Sequence, residues 1–421
     1  MPPETPTALP PAPRVRLREV DLLRFLAALA VLMYHYTGSL GGPWKGEKAR
    51  ELFDPVSTLT QFGYLGVELF FLISGFVILM STWGRTMADF TVSRIIRLYP
   101  AYWFSVLLIG AIYLTTGLGR GRPEALIPNL TMFQQGMGIQ NVSGVYWTLW
   151  TEMHFYALIA VLVLTGVTYS RCITFMSTWT VLAVFAKETG NGVLEGLLIP
   201  EFAPYFIAGM AFYLIHRFGS SWLLWGFAAF SWATSMRYAL PAATGEPYSL
   251  APSDAWPAIA VITTALFGLM ALVATGKLSK LRWKHFATLG ALTYPTYLIH
   301  YELGPALARL LHPALPYWAA LAAITAIVLV AAYLINKLVE DPLVKLLKPR
   351  LKDSFQRLSA ADTGRHRGKR ARTPDVPADE PAAPAPHAND TRAIVPAGPT
   401  PPHHEEEAHG STPSAPIGSS I

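Results

Sequence analysis

Residues 24–35 read RFLAALAVLMYH, ten uncharged side chains enclosed by an arginine and a histidine. The apolar run around them covers about 20–37, close to the roughly 20 residues an α-helix needs to cross a bilayer. Nine further runs follow, at about 62–83, 98–117, 146–168, 172–186, 202–216, 221–236, 256–275, 286–303 and 317–336. Hydrocarbon offers no partner to a backbone N–H or C=O, so such runs are expected to be helical. The sequence therefore predicts an all-α polytopic membrane helix bundle of about ten transmembrane helices.

Composition agrees. Of 421 residues, 52% are hydrophobic and only 14% charged, against about 25% charged in a soluble domain. A chain so poor in charge does not cover itself with a polar surface, and lipid is the expected solvent. With the N-terminus in the cytoplasm, the inside segments hold 17 Lys and Arg and the outside segments 8, which predicts both termini inside. The net charge of +6 invites a nucleic-acid reading. The basic residues flank apolar runs, however, where insertion and anionic lipid account for them, so the bilayer and not nucleic acid is the expected partner. The single cysteine, Cys172, allows no disulfide within one chain, and nothing in the sequence marks an oligomeric state.

Three domains are expected: a disordered N-terminal tail at 1–17, a membrane domain at 18–352 and a disordered Pro/Ala-rich cytoplasmic tail at 353–421. The opening MPPETPTALPPAP has no apolar core of a cleavable signal, so the first run is expected to act as an uncleaved anchor. The last segment contains HRGKRAR (366–372) and HHEEEAH (403–409). Both are read as solvated tail, and no metal site is expected.

Ionisable groups inside lipid are costly, so each asks for a reason. Arg24 and His35 are 11 residues apart, close to three turns, and so share a face about 16 Å apart along the axis. Arg94 and Arg97, in SRIIRLYPAYW (93–103), lie one turn apart before the third run. They form an ordinary positive flank or a phosphate grip through paired hydrogen bonds. Glu68 lies in GYLGVELFFLISGF (63–76), Glu152 and His154 in WTLWTEMHFY (147–156), and His300 and Glu302 in LTYPTYLIHYEL (292–303). With this topology Arg24, Arg94 and Arg97 fall toward the cytoplasmic side, and His35, Glu68, Glu152 and His300 toward the outer side. His154 reads as an accessory polar residue and Glu302 as an interfacial one.

Taken in order, these segments with APYFIAGMAFYL (203–214) and VEDP (339–342) resemble the acyltransferase-3 family of bacterial membrane O-acyltransferases, from about Arg18 to Pro342. Many relatives have Gln-Phe-Tyr after a Glu pair where this chain has Met153-His154-Phe155-Tyr156; Glu152 itself is kept. The chain is expected to be the stand-alone form, without the extracellular hydrolase-like domain that some relatives carry. The resemblance implies an enzyme of the bacterial cell membrane that moves an acyl group, acetyl by default, from acyl-CoA to a hydroxyl. Acyl-CoA is a donor substrate here, and no tightly bound cofactor is expected. The implied acceptor is a carbohydrate or glycosylated molecule, such as an exopolysaccharide or lipopolysaccharide sugar, with a macrolide-like natural product as the alternative. His35 would remove the hydroxyl proton, with Glu68 or Glu152 orienting its ring, while Arg94, Arg97 and Arg24 hold the donor's phosphates. A transporter or flippase is the rival from another class. The expected repeat of halves is missing, since the Arg-x10-His and Arg-x-x-Arg patterns each occur once.

Overall fold

The structure is a computed structural model and describes residues 16–354 apart from 45–46, 120–121, 246–249 and 282, with backbone only for 252–254. The two expected tails therefore lie almost wholly outside the described residues. Each of the ten apolar runs is the body of one long helix: α1 (Arg18–Met33), α2 (Gly66–Thr82), α3 (Met87–Thr116), α4 (Trp147–Thr165), α5 (Tyr169–Thr189), α6 (Ala203–Phe218), α7 (Trp222–Thr244), α8 (Pro252–Ala274), α9 (Phe286–Leu311) and α10 (Tyr317–Ile335). No strand occurs among the described residues.

Seven helical stretches are long and apolar enough to cross a membrane: Arg18–Gly38, Val56–Thr82, Met87–Thr116, Trp147–Thr165, Gly192–Phe218, Ala255–Ala274 and Tyr317–Ser354. The remaining three runs are also helical, over 21 residues in α5, 23 in α7 and 26 in α9. They carry more polar side chains. Arg237 of α7 donates to Glu188 of α5 at 2.7 Å, while Thr293, Thr296, His300 and Glu302 of α9 are buried.

The bundle is apolar on its outside as well as in its core. Leu107, Leu114, Leu164, Val181, Val261 and Val330 are all more than half exposed. In water such a surface would be a liability; in lipid it is the expected solvent contact. The opposite case is α6, where every residue from Ala203 to Ile215 is buried. A helix hydrophobic on all sides belongs in the centre, and α6 packs there against α2. Their closest approach is at Gly75 and Gly209. A Cβ on Gly75 would strike the Phe206 carbonyl, and one on Gly209 the Leu72 carbonyl. Where lipid provides little drive for helices to associate, small residues of this kind allow the close backbone packing that does.

The boundary that differs most from the sequence reading is the start of α3, at the site; α7 and α9 also run on past their apolar runs. The third apolar run begins at about 98, but α3 starts at Met87. Thr86 caps it, accepting from the Asp89 N–H at 3.2 Å while its hydroxyl donates to the Asp89 carboxylate at 3.0 Å. Arg94 and Arg97 thus lie inside the helix and not before it. The fourth run begins where expected, with α4 starting at Trp147, and the loop before it is itself buried at Val142, Ser143, Val145 and Tyr146.

Candidate active site

Arg24, Arg94, Arg97 and Glu152 come together on the wall of one cavity of about 740 Å³. It lies between α1, the α2–α3 turn, α4, α9 and the chain after α10. Six cationic side chains line it, Arg24, Arg85, Arg94, Arg97, Lys348 and Lys352, against two acidic ones, Asp89 and Glu152. The arginines are held by their surroundings. Arg94 donates to the hydroxyls of Ser81 at 3.2 Å and Ser93 at 3.0 Å and lies 5.6 Å from the centre of the Tyr156 ring. Arg97 lies 5.7 Å from the Tyr294 ring centre. The side-chain Nε of Arg24 is buried with no hydrogen-bond partner among the described residues.

A second, smaller chamber of about 60 Å³ adjoins the first and shares Arg24, Ser74, Arg97, Glu152 and Tyr294 with it. The Glu152 carboxylate stands at this junction, accepting from the hydroxyls of Tyr156 at 2.6 Å and Ser74 at 3.2 Å. The chamber is otherwise lined by Phe70, Phe71, Thr148, Thr293 and Tyr297 among others. Tyr297 is fixed there through its hydroxyl, which is 2.8 Å from that of Thr148 and donates to the Val145 carbonyl at 3.1 Å.

Two imidazoles lie near Tyr297 and line neither cavity. The tyrosine's ring centre is 5.6 Å from that of His300, which is 5.3 Å from that of His35. α1 ends in a five-residue π-turn, Tyr34–Gly38, and His35 sits in it. Interruptions of this type often mark functional positions. The turn is pinned on several sides: Trp44 donates to the Tyr36 carbonyl at 2.7 Å, Arg50 to the Gly38 carbonyl at 2.7 Å, and Thr37 to the Thr60 hydroxyl at 2.8 Å. The Tyr301 ring meets His35 edge-on at 4.8 Å.

His300 is buried on α9, and its surroundings settle its tautomer. Nδ1 lies 2.7 Å from the Tyr297 carbonyl and 3.2 Å from that of Thr296. Carbonyls only accept, so Nδ1 carries the hydrogen and Nε2 the lone pair. Nε2 is buried with no partner among the described residues. That is the state a proton acceptor needs.

The four groups assigned by sequence to the outer half are therefore divided. His35 and His300 form a pair, but Glu152 belongs with the arginines. Glu68 lies on the first turn of α2 and lines neither cavity; its Oε2 is buried and unpartnered. Among the described residues no hydrogen bond or ion pair joins either glutamate to His35. Glu302, read as interfacial, is only 5% exposed, and the Gly144 N–H donates to its carboxylate at 3.4 Å. His154 stays peripheral, with Nδ1 2.8 Å from the Trp150 carbonyl. Sequence reasoning noted His300 without giving it a role; the signal was its place beside tyrosines in a polar stretch of an otherwise apolar helix. Lys348 and Lys352, which the charge pattern explains as positive-inside flank alone, also line the cavity.

Comparison with known proteins bears on this arrangement. The profile of a family described as an acyltransferase domain matches residues 17–337. Acyltransferase MdmB of Streptomyces mycarofaciens is 25% identical over 373 residues, covering 79% of this chain and 93% of that protein. Nodulation protein 10 of Rhizobium leguminosarum bv. viciae is 29% identical over 165 residues, covering 34% of this chain and 43%, less than half, of that protein's length. No solved structure matches the chain. A profile match spanning most of the chain, on a bundle with seven membrane-length apolar helices, shows that the chain belongs to the acyltransferase-3 family and is a multi-pass membrane acyltransferase.

Proposed function

We propose that this enzyme takes an acyl group, acetyl by default, from acyl-CoA and passes it to a hydroxyl of a carbohydrate acceptor at a bacterial cell membrane. The observation that carries the donor assignment is the 740 Å³ cavity with six cationic and two acidic side chains on its wall. A coenzyme A thioester bears several phosphates, and arginine forks suit phosphate oxygens. The cavity opens where the positive-inside pattern puts the cytoplasm, and acyl-CoA is made there. Its long flexible arm leads the thioester inward past Glu152, at the junction with the smaller chamber, toward the histidine pair. The acceptor approaches from the opposite half.

The chemistry follows from the imidazoles. The acceptor oxygen attacks the thioester carbonyl carbon as its proton passes to an imidazole nitrogen, His35 or the unpartnered Nε2 of His300. The tetrahedral adduct then collapses, the C–S bond breaks, and the imidazolium returns the proton to the departing sulfur. A positioned base of this kind contributes about 10²–10⁴-fold. Glu152 offsets the charge of Arg24 and Arg97 at the junction. This replaces the orienting role expected of it, since it has no bond to His35.

The test is release of free CoA thiol by membranes containing the protein when acetyl-CoA is added, together with mass spectrometry of surface glycans from cells with and without the gene. Thiol release and an added acyl mass on the glycan are expected. Membranes that move an acceptor across the bilayer and leave acetyl-CoA intact would make the chain a transporter instead.

A further inference from the structure

The cationic cavity extends beyond the part of the chain that the family profile covers. The profile ends at 337, but the chain continues as a π-turn, Asn336–Glu340, and then as α-helix to Ser354. This extension is fixed at its root. Asn336 donates to the carboxylate of Glu340 at 2.7 Å, both residues being buried, and Lys337 pairs with Asp341 at 2.9 Å. Val344, Lys348 and Lys352 follow at intervals of four, so they share one helix face, and all three line the cavity.

Position within the cavity separates these lysines from the inner arginines. Arg24 and Arg97 also line the smaller chamber, and Arg94 is half-buried against Tyr156, the donor to Glu152 at the junction. Lys348 and Lys352 are exposed and, like Arg85, line only the larger cavity, which puts them toward its mouth. Among the described residues neither lysine forms an ion pair. The nearby carboxylate on the wall, Asp89, is engaged by its own helix cap. The mouth is thus a cluster of positive charge facing a space.

We infer that Lys348 and Lys352, with Arg85, form a subsite for the phosphate-bearing nucleotide end of acyl-CoA, while Arg24, Arg94 and Arg97 serve the part nearer the thioester. The inference rests on the donor assignment above. Ammonium groups on flexible stems suit a polyanion at a solvent-open mouth, where a point charge is enough, and the planar arginines suit the enclosed inner end. Phosphate could also come from lipid headgroups. The cavity-facing position of the lysines favours the nucleotide, and the test separates the two.

The experiment compares acetyl-CoA, its 3′-dephospho form and acetyl-pantetheine, which lacks the nucleotide, as donors for the full chain. The variants are Lys348→Glu with Lys352→Glu, the milder Lys348→Gln with Lys352→Gln, and Lys348→Arg with Lys352→Arg. Charge reversal should raise KM for acetyl-CoA by about tenfold or more, equivalent to about 1.4 kcal/mol, with kcat little changed. KM for acetyl-pantetheine should stay within about twofold of the wild type, as expected when no charged contact is lost. The Gln pair should shift KM in the same direction by less, and the Arg pair should restore it. Equal losses on acetyl-CoA and acetyl-pantetheine, in an active wild type, would overturn the subsite alone. A KM change seen only in bilayers containing anionic phosphatidylglycerol, and on all three donors, would assign the lysines to lipid and overturn it too. A wild-type chain that releases no CoA would overturn the donor assignment and the subsite with it.

Discussion

The proton on His300 has only one nitrogen it can occupy, because two backbone carbonyls face Nδ1. Its other nitrogen is therefore an acceptor inside the protein, 5.3 Å ring to ring from His35. If the pair takes the acceptor proton, His35→Ala and His300→Ala should each lower kcat by about 10²-fold or more. Elution on size exclusion should be unchanged. Full activity in either purified variant removes that ring from the chemistry. Glu68→Gln should cost much less, since no hydrogen bond joins Glu68 to either imidazole among the described residues and its Oε2 has no partner; a loss as large as that of His35→Ala would show that the two act together. At this scale the arginines were legible from spacing, because i, i+3 places Arg94 and Arg97 on one helix face. The partner of Glu152 was not. Its hydroxyl donors, Ser74 and Tyr156, lie 78 and 4 residues away, and only the packing of α2 on α4 selects the first.

Helix placement decides how those residues meet. Central α6 holds α2 at the distance that two glycines permit, and α2 in turn carries Ser74 and the wall of the inner chamber. Gly75→Val would drive a branched side chain into the Phe206 carbonyl. A cost of about 1–3 kcal/mol is expected from such overpacking, read as a lower thermal midpoint in detergent; an unchanged midpoint would mean the two helices are free to separate. Thr86→Ala removes the cap of α3 and should cost about 1 kcal/mol, less than the glycine change. Hydropathy located all ten long helices but trimmed α3 and α9. Their extra turns carry Asp89, Arg94, Arg97 and Arg309, whose charge ends an apolar run without ending a helix.

Across the whole molecule the function depends on two ends that differ in chemistry. One has a cationic cavity and the other a histidine pair, about 16 Å apart along α1 by its rise per residue. The direction in which the bundle sits is then part of the mechanism. The lone Cys172 is fully buried, so the wild-type chain should resist thiol reagents and allow single-cysteine mapping. In intact cells an impermeant maleimide should label Gly41→Cys, in the exposed segment after the His35 turn, and leave Lys348→Cys unlabelled until the membrane is opened. The reverse pattern would put the cationic cavity outside and end its assignment to a cytoplasmic donor.

Some of this needed no structure. Ten apolar runs, their charge asymmetry and the Arg-x10-His and Arg-x-x-Arg spacings determined a helical membrane bundle with cations toward one side. Such properties are local, since helix period and hydropathy act within one segment. Which ionisable groups share a chamber was decided by tertiary structure alone. The packing of α4 on α2 and α3 brings Glu152 to the arginines; a π-turn aims His35 at His300; and the helix beyond α10 brings Lys348 and Lys352 to the mouth. Each depends on how one helix rotates and slides against another, and that is fixed by side chains far apart in sequence.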